Sequence, residues 1–307
     1  MKGIILKAPA TIANFGPGFD IFALALKQPF DIIKIHTTPS LKVKIKIFGQ
    51  NEPIPSEPEK NSAGVAALHY LKTTGRRAGL NIEIHKNINS RAGLGTSGAS
   101  AAACVYGLNM LFSDHMDAAG LVEIARQGEV ASGSTAHADN AAACLLGGFV
   151  LIKNDSPLEI VKINAPAIPL VLCVMKKKHL TTRGNIPAGF SLAKLTGQMS
   201  CGAALIHGMM TGDLVEIGKA VNTDYVSEPV RAQDIPGYSG LKNSILDAGA
   251  FGCNISGGGS SVFAVCEKQS RDEIERIMSD HIQKYSINGD VIQTFSSNNG
   301  IEETYGL

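Results

Sequence analysis

The stretch GLGTSGASAAA at residues 93–103 decides how this chain is read. It follows NIEIHKNI (81–88), whose alternation predicts a short strand, and it runs into small residues from 96 to 108 that suit a closely packed helix. Amides at the start of a helix have no intrahelical partner and carry partial positive charge, so such a turn is a ready phosphate site. Gly93 and Gly95, on either side of Leu94, let the backbone approach an anion with no Cβ in the way, Gly98 belongs to the same phosphate-binding stretch, and Ser100 with the alanines behind it lets the helix start bury tightly. Thr96 and Ser97 add hydroxyls that can donate to phosphate or bind a divalent cation. There is no GxxxxGK[ST] and no GxGxxG followed by a ribose-binding acid. The loop holds no lysine, so phosphate charge must be met by amides, magnesium and residues from elsewhere. A glycine-rich strand-to-helix turn without a ligand shares this pattern.

Outward from the loop, residues 2–8 and 31–37 read as strands, and Lys42–Ile47 alternates strictly, as an edge strand with lysines in solvent does. NEPIPSEPE (51–59) is a proline-rich loop before a helix from Asn61 to Thr74, and Asp117 caps another that runs to about Ala131. Residues 147–153 return as a strand. The polar segment 154–169, with Pro157, Pro166 and Pro169, predicts a boundary between domains at 1–157 and 158–307. The second half reads as strand 170–176, helices 188–211, 213–223 and 238–249, strand 261–266, helix 270–285 and strand 290–295.

A length of 307 residues fits two hydrophobic cores better than one. With 44% apolar and 18% charged residues the composition is that of a globular enzyme, and a net charge of +1 gives no bulk attraction to nucleic acid or an anionic membrane. No apolar run approaches a membrane span, and the first one is closed by Lys7, too short for a signal peptide, so a cytoplasmic location is expected. The six cysteines lie far apart in apolar surroundings and read as buried thiols. The eight histidines form no zinc spacing.

Three separated segments, APATIANFGPGFD (8–20), the loop at 93–103 and NISGGGSSVFAV (254–265), together resemble the three motifs of the GHMP kinase superfamily. The first closely resembles the homoserine kinase family's version. GEVASGSTAHADNAAACLLGGF (128–149) and EPVRAQDIPGY (228–238) are similar to two further stretches of that family. The resemblance spans essentially the whole chain. It implies an α+β, two-domain fold, with a ribosomal-protein-S5-like N-terminal domain, a ferredoxin-like C-terminal domain and a cleft between them. The activity it implies is ATP-dependent phosphorylation of L-homoserine with Mg2+, by a homodimer.

Homoserine carries a carboxylate, an ammonium and a primary hydroxyl. A guanidinium grips a carboxylate through two donors, and by resemblance Arg231 and Arg183, with Thr182 nearby, take that part. The resemblance places Asp20 at the ammonium, with Asn14, His137, Asp139 and Gly257 lining the acceptor site. It makes Ser97 and Glu129 the magnesium ligands and puts Asn61 near the adenine, where a helix N-cap would look the same. Relatives such as mevalonate kinase use an aspartate at the position of Asp139 as base. Homoserine kinases are thought to share the role between Asn140 and the γ-phosphate, which leaves Asp139 to orient substrate. The sequence departs from the family pattern at Asn89, Arg91, Gly98 and Ser260, and Arg91 stands where it could touch a phosphate. Two rival readings stay open: a GHMP kinase for another alcohol such as threonine, mevalonate, pantoate or a sugar, and a non-catalytic nucleotide- or metabolite-binding relative.

Overall fold

The computed structural model describes residues 2–49, 54–90, 92–132, 136–176 and 185–305. Arg91, Thr182 and Arg183 lie outside the described residues.

The chain opens with β1 (Gly3–Ala13), β2 (Phe22–Thr38) and β3 (Val43–Phe48), then α1 (Ser62–Thr74) and β4 (Gly79–His85). α2 (Thr96–Phe112), α3 (Ala118–Arg126) and α4 (Asp139–Leu146) follow, and a hairpin of β5 (Phe149–Asp155) and β6 (Leu158–Ile163) closes this half. Among the described residues these strands form one sheet in the order β1-β2-β4-β3, with β5 joined to the early part of β2 and β6 to β5. Its outer edge beyond β1 is completed by β11 (Glu302–Glu303) near the far end of the chain.

The second half contains β7 (Pro169–Met175), α5 (Leu192–Thr211), α6 (Leu214–Val221), α7 (Glu228–Arg231) and α8 (Tyr238–Asp247). β8 (Gly252–Ile255), β9 (Val262–Val265), α9 (Arg271–Lys284) and β10 (Gly289–Phe295) complete it. Its antiparallel sheet runs β10-β7-β9-β8, which is the fourth, first, third and second strands of this half, the ferredoxin-like order expected. The architecture is α+β.

β7 is buried along its whole length, and its alternation divides the molecule's core. Leu170, Leu172 and Val174 join the large cluster under the first sheet, and Val171, Cys173 and Met175 face a second cluster with Leu241, Ile245 and Met278 of α8 and α9. A strand covered on both faces reads as a continuous apolar run, which PLVLCVM is. The two halves are pinned at Phe15, whose ring stacks on Phe263 at 5.1 Å and meets Phe149 edge-on at 6.3 Å.

Two expectations change. Residues 158–163, read as part of a polar connection, form β6, because LEIVKI alternates and Ser156-Pro157 turns it back onto β5; the first sheet therefore extends past 157. β1 and β2 are far longer than the strands expected at 2–8 and 31–37, since the small residues Ala8, Ala10, Ala23 and Ala25 let them pack closely. β3 is the edge strand, with Lys44 and Lys46 in solvent. Five of the cysteines are buried free thiols and Cys201 is partly so. Among the described residues, no group of His, Cys, Asp or Glu is placed to hold a metal by itself, and no helix is long and apolar enough to cross a membrane.

Candidate active site

β4 delivers the chain to the glycine-rich loop. Leu80, Ile82 and Ile84 occupy its core-facing parity, and Lys86 falls on the same parity one step past the strand. Its ammonium is buried, 2.7 Å from Asp31 Oδ2, 2.6 Å from Thr96 Oγ1, 3.0 Å from the Thr96 carbonyl and 2.7 Å from Ser100 Oγ. Asp31, also on the buried parity of its strand, uses its other oxygen to accept the Asn87 and Ile88 amides at 2.8 and 2.9 Å. A buried charge is tolerated only when paired and hydrogen-bonded, and this pair is both. It fixes a cation under the first turn of α2.

Gly93 and Gly95 sit at φ 80° and 68°. A Cβ on Gly93 would stand 2.4 Å from the Ser256 carbonyl, and one on Gly95 would stand 2.0 Å from Thr11 Oγ1 and 2.6 Å from Asn140 Oδ1. Both positions exclude a side chain. The residue that precedes α2 is Gly95, which has no side chain to cap the amides that open the helix. The Leu94 carbonyl accepts from Thr11, and the Ala92 and Gly93 carbonyls accept from Ser261 N and Ser256 Oγ, so the third glycine-rich segment braces the loop. A cavity of about 250 Å3 opens here, lined by Ile47, Pro55, Asn61, Lys86, Ser97 and Ala131 among others. Asn61 lines it while its side chain caps α1 through the Ala63 and Gly64 amides and donates to Pro55 O.

Glu129, in the 3-10 turn Gln127–Ser132, packs against the start of α2; a Cβ on Gly98 would stand 2.8 Å from its Oε1. Burial pushes its carboxyl up to about 8; Asp139 adds to the rise and Lys86 opposes it. Asp139, at the start of α4, is pushed up to about 7, chiefly by burial. The Asn140 amide pulls it down, Asp20 raises it and Arg231 lowers it. Its Oδ1 accepts the Asn140 N–H at 2.8 Å.

Asp20, His137 and Arg231 gather at the same end as Asp139. Asn14 and Asp20 both hold left-handed backbone, at φ 65° and 60°, and Asn14 Oδ1 accepts the Asp20 amide. His137 Nδ1 lies 3.5 Å from Asp20 Oδ1. The Arg231 guanidinium lies over the Phe19 ring, 5.6 Å from its centre. Asp224 holds the segment that carries Arg231 by accepting from Val226 N, Ser227 N, Ser227 Oγ and Glu228 N. Gln198 ties that segment to Pro17. Gly257 is packed between the first motif and the loop, accepting from Asn14 Nδ2 and donating to Ala13 O.

The family models described as GHMP kinases N terminal domain and GHMP kinases C terminal match residues 61–148 and 204–284. A homoserine kinase from Methanococcus vannielii is 34% identical over 282 residues, covering 91% of this chain and 93% of its own. The chain belongs to the homoserine kinase family of the GHMP kinases. Another relative, the homoserine kinase of Methanocella arvoryzae, is 35% identical over 278 residues, covering 91% of this chain and 90% of its own. A crystal structure of homoserine kinase from Cytophaga hutchinsonii superposes with a TM-score of 0.91 at 34% identity, covering 99% and 98% of the two chains. A mevalonate kinase at 14% identity and a TM-score of 0.72 shares the fold.

The structure thus draws together Asn14, Asp20, Glu129, His137, Asp139, Asn140 and Arg231 around the loop. Sequence reading missed Lys86 and Asp31. The signal was present: each puts a charge on the core-facing parity of an otherwise apolar strand. Two departures from the family pattern have local reasons. Gly98 leaves room for Glu129, and Ser260, buried, donates its hydroxyl to the Met175 carbonyl at 2.7 Å.

Proposed function

We propose that this protein transfers the γ-phosphoryl group of ATP to the hydroxyl of L-homoserine, giving O-phospho-L-homoserine and ADP. One observation carries the reading: Asp20, His137, Asp139 and Arg231 lie together at one end of the glycine-rich loop, offering an anion for an ammonium and a cation for a carboxylate. The alternative acceptors mevalonate and pantoate carry no ammonium to meet Asp20.

In this reading the amides that open α2, with Thr96 Oγ1, hold the phosphates, and Lys86 supplies fixed positive charge beneath them. Asn61 lies beside the base. Ser97 and Glu129 are an oxygen-only donor set that suits a hard divalent cation, and a buried carboxyl displaced to about 8 is one that a cation would hold ionised. When bound, Mg2+ neutralises charge on the β- and γ-phosphates. A relative in fold alone, at 16% identity, has been solved with AMPPCP and magnesium. Arg231 takes the carboxylate, Asp20 the ammonium, and Asp139 orients the acceptor. Arg183, Thr182 and Arg91 complete the proposed contacts from outside the described residues.

The test is coupled ADP release with MgATP over homoserine, threonine, serine, mevalonate and pantoate. Homoserine is expected to give the highest kcat/KM. A higher value with another alcohol, or no dependence on any acceptor, sinks the reading.

We also propose a cytoplasmic homodimer, supported by the apolar row Leu192, Leu195, Met199 and Met210 exposed on α5. Light scattering that gives one chain's mass would remove it.

A further inference from the structure

Thr11 belongs to the first glycine-containing motif, APATIANFGPGFD. It is fully buried, and its hydroxyl lies 2.7 Å from Asn140 Oδ1. A buried hydroxyl must give its proton to an acceptor, and Asn140 Oδ1 is the acceptor within reach. If the amide were turned the other way, its NH2 group would donate to the Thr11 oxygen, and the buried Thr11 proton would be left without an acceptor. The hydroxyl therefore fixes which way the amide points. Its oxygen is tied down beneath the loop, and its NH2 group, on a residue that is only partly buried, is directed away from Thr11. The loop passes directly over this pair, since a Cβ on Gly95 would strike both partners at 2.0 and 2.6 Å.

From this geometry we infer that Thr11 is a positioning residue that sets Asn140 as a hydrogen-bond donor to the reacting oxygens. The inference rests on the phosphoryl transfer proposed above. The acceptor hydroxyl oxygen bonds to the γ-phosphorus as the bond from that phosphorus to the ADP oxygen breaks. The hydroxyl proton passes to an oxygen of the transferred phosphoryl group, because a neutral carboxamide is far too weak a base to take it. The Asn140 NH2 group stabilises the charge spread over the oxygens in flight.

The test compares Thr11→Val, Thr11→Ser, Asn140→Ala and Asn140→Asp, with thermal unfolding measured for each. Thr11→Val keeps the shape and loses the hydroxyl; it is expected to lower kcat about 10- to 100-fold with both KM values within about threefold. Thr11→Ser restores the donor and is expected to recover kcat to within about threefold. Asn140→Asp turns a donor into a second anion beside phosphate and is expected to be slower than Asn140→Ala. Adding Thr11→Val to Asn140→Ala is expected to cost nothing further in kcat. A Thr11→Val enzyme within twofold of wild type, or an Asn140→Asp enzyme at least as fast as wild type, overturns the inference. If the wild type prefers another alcohol, the substrate reading fails, and the same variants assayed on that alcohol still decide the role of Thr11.

Discussion

At the phosphate end of the cleft, main-chain bonds and one buried ion pair hold the loop from below. At the proposed acceptor end, partly buried side chains from remote segments come together. Lys86 and Asp31 are buried against each other, with backbone amides bonded to the carboxylate and hydroxyls to the ammonium. Asp20, His137 and Arg231 are only partly buried. The difference suits the two ligands. Every nucleotide brings the same phosphates, so their seat can be built rigid and permanent. An acceptor is chosen by its particular ammonium and carboxylate, and side chains on separate segments can discriminate between them.

Lys86→Met is expected to have the largest effect, since it strands the Asp31 carboxylate in the core. A loss of about 3–5 kcal/mol of stability should appear in chemical denaturation, together with a raised KM for ATP. Adding Asp31→Asn should recover part of the stability but not the KM. A Lys86→Met protein of near wild-type stability would erase the contrast between the two ends.

Arg231→Ala should act on the acceptor alone. Removing a charge-assisted, two-donor grip costs about 2–3 kcal/mol, or roughly a 30- to 150-fold rise in KM for homoserine. The KM for ATP and the unfolding midpoint should hold. A matching rise in the KM for ATP would mean the ends are not separable.

Asp139 lies between them and should show a conflict of stability with function. Its folded carboxyl titrates at about 7, well above an unfolded aspartate, so its ionised form destabilises the fold at high pH. Asp139→Asn should therefore stabilise the protein at pH 8, a gain that shrinks as pH falls from 7 toward 4 and is read from unfolding midpoints. Activity should show a raised KM for homoserine with most of kcat kept. A collapse of kcat would make Asp139 the base. The smallest effect is expected from Gly98→Ala, which crowds Glu129 and should raise the Mg2+ needed for half-maximal activity about tenfold.

These ends also differed in how they could be read from sequence. The loop was legible locally, because Gly93, Gly95 and the small residues of α2 carry their reason in their own neighbourhood. The acceptor residues became legible only through the resemblance, because nothing in the spacing of Asp20, His137 and Arg231 places them together. Lys86 and Asp31 were missed although the alternation of β4 and β2 marks both. The loop itself holds no lysine, and the cation stands seven residues before Gly93. The hairpin strand β6 was missed because Pro157, a turn residue, was read as the start of a linker.

The brace between Ser256 and Gly93 joins residues 163 apart in the chain. At about 5–20 residues per second of synthesis, the first half emerges from a ribosome on the order of ten seconds before the segment that latches its loop. In that interval the nucleotide seat exists as sequence without its far support. A nascent or truncated chain that ends near β7 is therefore expected to hold a folded helix α2 and still bind ATP poorly.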